Sequence, residues 1–188
     1  MTDMLNLRRR IYALGACEGA TDFILDHKTA QEAWDACENG ENMLWLLGRL
    51  SGEPGSDKRR KLVLAACDCA GLARKYTRGN LRKAFDRCQR TARAWARGKD
   101  GVTLGDMRRD ADAASAAATS YASASYASAA DAASSAADAA YANAAAAASY
   151  AAADAAANAR KIILGQCAKI VRNHYPKPPR IPTKKGRE

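Results

Sequence analysis

Between residues 111 and 159 the chain carries 30 alanines in 49 residues and no Gly, Pro, Leu, Ile, Val or Phe. Alanine has the highest helix propensity and loses no rotamer freedom on folding. The backbone of this run is therefore expected to be helical. Each methyl buries little area, so the run cannot build a large apolar core by itself. What it permits is close approach: two alanine-faced helices can come nearer than the usual ~8–10 Å and gain dispersion contacts along their backbones. Tyr121, Tyr126, Tyr141 and Tyr150 are placed to set the register, each with an apolar ring and a hydroxyl that wants a partner.

Three uses of such a run compete. It can form a tightly packed helical layer on a neighbouring bundle. A long spacer or coiled coil would need a Leu/Ile heptad, and there is none. An ice-binding helix would need a ladder of threonines, and the run holds only Thr119. The packed layer is the expectation. A single rod from 104 to about 173 would span roughly 100 Å at about 1.5 Å per residue. The polar positions change phase near 123–126 and near 143, which argues for separate packed helices or for a change of partner along the length.

The rest of the 188 residues supplies the core. The Leu, Ile, Val, Phe, Trp and Met residues concentrate in 4–97 and 162–171. Apolar spacing of three and four predicts helices over 3–14, 42–50, 58–76 and 80–97. A short helix is expected around 21–27, capped by Thr21 or Asp22. Another should start at the capping box Thr29-Ala30-Gln31-Glu32 and stop at Asn39-Gly40. Ser56 or Asp57 should cap the fifth helix, and Thr103 the alanine-rich part. No strand is expected. The predicted class is all-α: a multi-helix bundle over 1–101, closely packed alanine-rich helices over 102–175, and a basic, disordered tail over 176–188 with four of the five prolines.

Net charge is +10, unevenly spread. Residues 1–57 carry −5, 58–100 carry +11, 101–159 carry −4 and 160–188 carry +8. Such asymmetry creates separate fields on one molecule. The six cysteines include no CxxC pair and fall mostly among apolar residues, as expected of a reduced, cytoplasmic protein. Arg8, Arg9 and Arg10 precede a stretch too short and too soon polar for a signal peptide. Asp131, Asp138 and Asp154 interrupt the alanine run and exclude it as a membrane span. His27 and His174 lie far apart, in no ligand-spaced cluster, so no metal or other cofactor is expected. His174 reads as solvent-exposed. No serine or cysteine is marked as a nucleophile, and the expectation is that the chain is not an enzyme.

The strongest candidate site is basic. Helix 80–97 sets Lys83, Arg87, Arg90, Arg93 and Arg97 opposite Leu81, Phe85, Cys88, Ala92 and Trp95. Arg59 and Arg60 begin the preceding helix, and Arg74, Lys75 and Arg78 end it; antiparallel packing would bring that end beside the start of the stripe. Guanidinium forks suit phosphate and carboxylate. The ordinary alternative is a solvated face partly neutralised by acidic residues of 18–57.

The order of motifs ALGACEGATDFI, AWDACENGENMLWLLGRL, KLVLAACDCAGLA, RTARAWARGKDGVTLGDMRRDADAASAAA and ANARKIILGQCAKIVRNHYP resembles the alanine-rich immunity-protein family of bacterial toxin loci and phage genomes. The likeness spans about residues 12–176. It implies an all-helical fold and a role in neutralising something by binding, and it carries no catalytic residues. A protein partner is then the first expectation. A nucleotide or nucleic acid held by the Arg-rich face is the second. Self-association through the alanine-rich helices stays open.

Overall fold

The computed structural model describes residues 2–77, 79–121 and 157–182. Within them the chain folds into eight α-helices and no strand: α1 (Thr2–Ala13), α2 (Glu18–Leu25), α3 (Ala30–Ala36), α4 (Gly40–Leu50), α5 (Asp57–Gly71), α6 (Gly79–Ala96), α7 (Leu104–Tyr121) and α8 (Ala157–His174). A 3-10 turn, Leu72–Tyr76, extends α5. The expected phase slips near 123–126 and 143 lie outside the described residues, as do Tyr126, Tyr141, Tyr150 and Arg78.

Helix starts are set by side chains. Thr29 Oγ1 accepts from Glu32 N at 3.1 Å, while Glu32 Oε2 accepts from Lys28 N at 2.9 Å. Ser56 Oγ accepts from Arg59 N, which settles the cap of α5. Thr103 and Asp106 cap α7 reciprocally, each side chain accepting from the other's backbone N–H. α6 ends in a Schellman turn: Lys99 N donates to Ala94 O and Gly98 N to Trp95 O, with Gly98 at φ +68°.

Two sequence expectations are corrected. α2 begins at Glu18 rather than 21, after Cys17, which makes no side-chain cap. Thr21 is no cap; it is fully buried, and its hydroxyl donates back to Glu18 O at 2.7 Å. Asn39-Gly40 does not merely stop α3. Asn39 caps α4 by accepting from Asn42 N, and Gly40 is the first residue of that helix.

The centre of the bundle is α4, α5 and α8. Leu44, Leu62, Ala65, Ala66, Cys69, Ala168 and Val171 have no exposed surface. α5 presents a face of Leu62, Ala66, Cys69 and Ala70, largely of small residues, and α8 answers with Cys167 and Ala168. The closest approach is at Gly40: a Cβ built there would lie 2.4 Å from Cys167 Cβ and 2.6 Å from Ala168 N. Only a residue without a side chain admits α8 this near.

α6 packs antiparallel to α5: Arg74 pairs with Asp86, Asp68 with Arg93, and Arg60 lies over Trp95. α7 folds back on α6 and buries Met107 and Ala111; of the alanine run, the described residues include side chains over 111–114 alone. At the opposite corner Met4, Ile11 and Ile24 form a small separate cluster between α1 and α2. Of the expected tail, residues 176–182 carry neither helix nor strand, yet they are laid against this corner, where Ile181 packs on the Met4 cluster. Residues 183–188 lie outside the described residues.

Candidate functional site

Several of the basic residues singled out from the sequence are tied to neighbouring elements. α6 is amphipathic as expected, and Trp95 is buried against Val63 and Met107. Arg74 grips Asp86 with both arms, Nε to Oδ1 at 2.7 Å and Nη2 to Oδ2 at 2.8 Å. Its hydrogen bond holds the Asp86 carboxyl below the usual carboxylate value. Arg87 Nε lies 2.7 Å from Oδ1 of Asp110, which is buried on α7 and accepts from Thr91 Oγ1 at 2.5 Å. Arg93 Nη1 pairs with Asp68 Oδ1 at 2.7 Å. Arg60 donates to Gly55 O and covers the Trp95 ring at 5.6 Å, and Arg59 donates to Gly52 O. These side chains staple α5, α6, α7 and the 51–56 loop to one another.

Lys75, Lys83, Arg90 and Arg97 are exposed. Lys83, Arg90 and Arg97 make no ion pair among the described residues. Their spacing of seven sets neighbours about 10 Å apart along one face. That is too far to close on one phosphate, and it suits an extended polyanion or an acidic surface.

Asp68 is a junction the sequence did not announce. It receives Arg93 from α6 on one oxygen and His174 Nε2 from the end of α8 on the other, each at 2.7 Å. Burial alone would raise its carboxyl; the hydrogen bonds from His174 and Arg93 outweigh that and leave it below the ordinary value. His174 is thus half-buried and engaged rather than solvent-exposed. No residue spacing could reveal a pair 106 positions apart.

Cys67, Cys69 and Cys167 are buried and pack as small hydrophobes, Cys37 and Cys88 are half-buried, and Cys17 is exposed. Burial pushes the Cys67 thiol up to about 12 and Cys88 to about 11. The neighbouring Cys167 and burial push Cys69 higher still. These thiols stay protonated and are poor nucleophiles near neutral pH. Among the described residues no three His, Cys, Asp or Glu side chains gather into a metal-holding cluster, and no helix is long and apolar enough to cross a membrane.

A second feature has no counterpart in the sequence expectations: a groove of about 860 Å³ between α1, α2, α3, α4, the start of α8 and the tail. Phe23, Trp34, Trp45 and Leu46 supply its apolar walls, with Glu38 and Lys161 at its rim. It opens to solvent past Gly19 and Ala36, both exposed. Its size and its apolar, aromatic lining with few polar groups fall within the range of ligand pockets in general. Its walls come from five helices and the tail, so no single stretch betrays it; the one signal is that α4 is apolar nearly all round, more than a single core contact requires. No protein-family model, curated protein or solved structure matches the chain.

Proposed function

We propose that this chain is a non-catalytic binding protein that neutralises or sequesters a protein partner, of the immunity or phage counter-defence type, acting in the cytoplasm. The observation that carries the reading is the apolar groove at the α1–α4 corner, lined by two tryptophans and a phenylalanine and open past Ala36. Aromatic side chains in a desolvated pocket are the residues that dominate protein–protein affinity. The motif order that resembles the immunity-type family supports the same conclusion. The test is co-purification of the tagged full chain from its host. One partner retained in stoichiometric amount, and lost when the exposed groove residue is changed by Ala36→Arg, is the expected result. Absence of a stoichiometric partner, equal retention by Ala36→Arg, or turnover of a substrate by the chain contradicts it.

A second reading is favoured by one observation, the untied row Lys83, Arg90 and Arg97 on α6. On that reading the row binds a phosphate-bearing polyanion, a nucleic acid before a mononucleotide. Retention on DNA should weaken steeply with salt, and the triple Ala variant should abolish it. Salt-insensitive or unchanged retention removes this reading.

A further inference from the structure

The tail is already a ligand of the corner it crosses. Pro176, Pro178, Pro179 and Pro182 fix their own φ near about −65°, and they push the residues before them toward extended conformations. A segment so built loses little entropy when it docks and offers carbonyls without competing N–H groups. Those carbonyls are used. Trp34 Nε1 donates to Tyr175 O at 2.8 Å, and Gln31 Nε2 donates to Pro176 O at 3.1 Å. Pro178 and Pro179 line the groove, and Ile181 is seated on the Met4, Ile11 and Ile24 cluster. Charge agrees with the placement: residues 1–57, which build most of the groove, carry −5, and the docked segment 176–182 carries +2 from Lys177 and Arg180. Aromatic-lined grooves that take proline-rich segments use the same elements, namely indole donors, ring faces and an extended ligand.

The tail fills only the edge. About 860 Å³ remains beside it, comparable to the ~300–1,000 Å³ of typical binding pockets. An intrachain ligand that leaves this much space open is one a better-fitting segment can replace.

We propose that the groove is a binding site for an extended, proline-rich, basic peptide segment, held in the free protein by residues 176–182 as an intrachain competitor. The proposal rests on the reading of the groove as the partner-binding face and names the chemistry of the segment that enters it. A partner segment engages by displacing the tail and by filling, with bulkier apolar side chains, what Pro178, Pro179 and Ile181 leave open.

The experiment uses the full chain and a fluorescein-labelled peptide of the sequence PKPPRIP, followed by anisotropy. Ile181→Asp loosens the tail while leaving the helix residues that wall the groove unchanged. A second variant, Pro178→Gly with Pro179→Gly, loosens it without placing a charge near the Met4 cluster. A tethered competitor acts at an effective concentration of order mM. The wild-type chain should therefore bind the free peptide weakly. Both variants, their helical circular dichroism unchanged, should bind it at least tenfold more tightly. A peptide carrying Asp for its Ile should fail to bind either. No gain on loosening the tail, as would follow if other residues of the chain close the groove, overturns the proposal, and so does equal binding of the Asp-bearing peptide. If that occurs while Ala36→Arg still abolishes partner capture, the partner-binding reading stands and only the chemistry of the segment is wrong.

Discussion

The centre and the N-terminal corner of this bundle are built from similar residues to opposite effect. At the α4–α5–α8 centre the helices pack closely: Leu44, Leu62, Ala65 and Ala168 are wholly buried, and Gly40 lets α8 approach to a distance no side chain would allow. At the corner, Met4, Ile11 and Ile24 make a cluster of three beside a groove larger than the cluster itself. Packing to native density fixes one arrangement, whereas unfilled apolar space leaves a surface free to take a partner. The difference places tight packing at the centre and unfilled apolar space at the edge.

The sharpest way to break the comparison is Gly40→Ala. The added methyl would lie 2.4 Å from Cys167 Cβ, against backbone that cannot swing aside, so a loss of about 3 kcal/mol is expected from overpacking. Gly165→Ala is its counterpart, since a Cβ there meets nothing within 4 Å among the described residues; it should gain about 0.5–1 kcal/mol from helix propensity. Urea unfolding of both variants checks the pair, and equal effects would dissolve the distinction.

Next in size is the contrast between Leu44→Ala and Met4→Ala. Leu44, with no exposed surface, should cost about 3 kcal/mol, while Met4, at the thinly packed corner, should cost roughly 1–2 kcal/mol. Thermal and denaturant midpoints report the order, and a larger loss at Met4 would reverse the account.

Smaller again is Asp68→Ala, which frees Arg93 and His174 at the join of α5, α6 and α8. A partly exposed, charge-assisted junction is worth on the order of 1 kcal/mol after solvent screening. The folded-state carboxyl lies below its unfolded value. Its contribution is therefore complete above about pH 4 and fades as pH falls through the lower folded value. The variant should lose that part of the acid slope of stability. An unchanged slope in Asp68→Ala would show that the junction contributes nothing.

The smallest effect should come from Arg74→Ala. Its bidentate pair with Asp86 sits on the surface, where solvent screening leaves an ion pair little to contribute. A chemical-denaturation midpoint that hardly moves is the expected outcome.

What the sequence made legible was whatever depends on near neighbours. Thr29, Ser56 and Thr103 cap the helices their spacing suggested, and α6 buries Ala92 and Trp95 while exposing Lys83 and Arg90. Thr21 misled because a hydroxyl near a helix start resembles a cap, whereas here it is buried and bonds backward inside a helix whose cap residue makes no side-chain bond. Asn39-Gly40 resembled a stop because its reason lies on α8, more than a hundred residues away. The arginine stripe was visible, but its partners Asp68, Asp86 and Asp110 depend on how α5, α6 and α7 register against one another. The groove needs six segments to meet, and the docked tail depends on Trp34 and Gln31 reaching carbonyls some 140 positions distant. The alanine run that most constrained the expectation falls largely outside the described residues.

Native-state hydrogen exchange on the free full chain tests the central claim most directly, because it reads the opening free energy of each helix separately. The account predicts that amides of α4, α5 and α8 exchange only through global unfolding, with rates that respond to denaturant. Those of α1 and α3 should exchange through local openings that denaturant scarcely changes, and Ile181→Asp should speed them further. Uniform protection across the eight helices of the described residues, or slower exchange at the corner than at the centre, would contradict it.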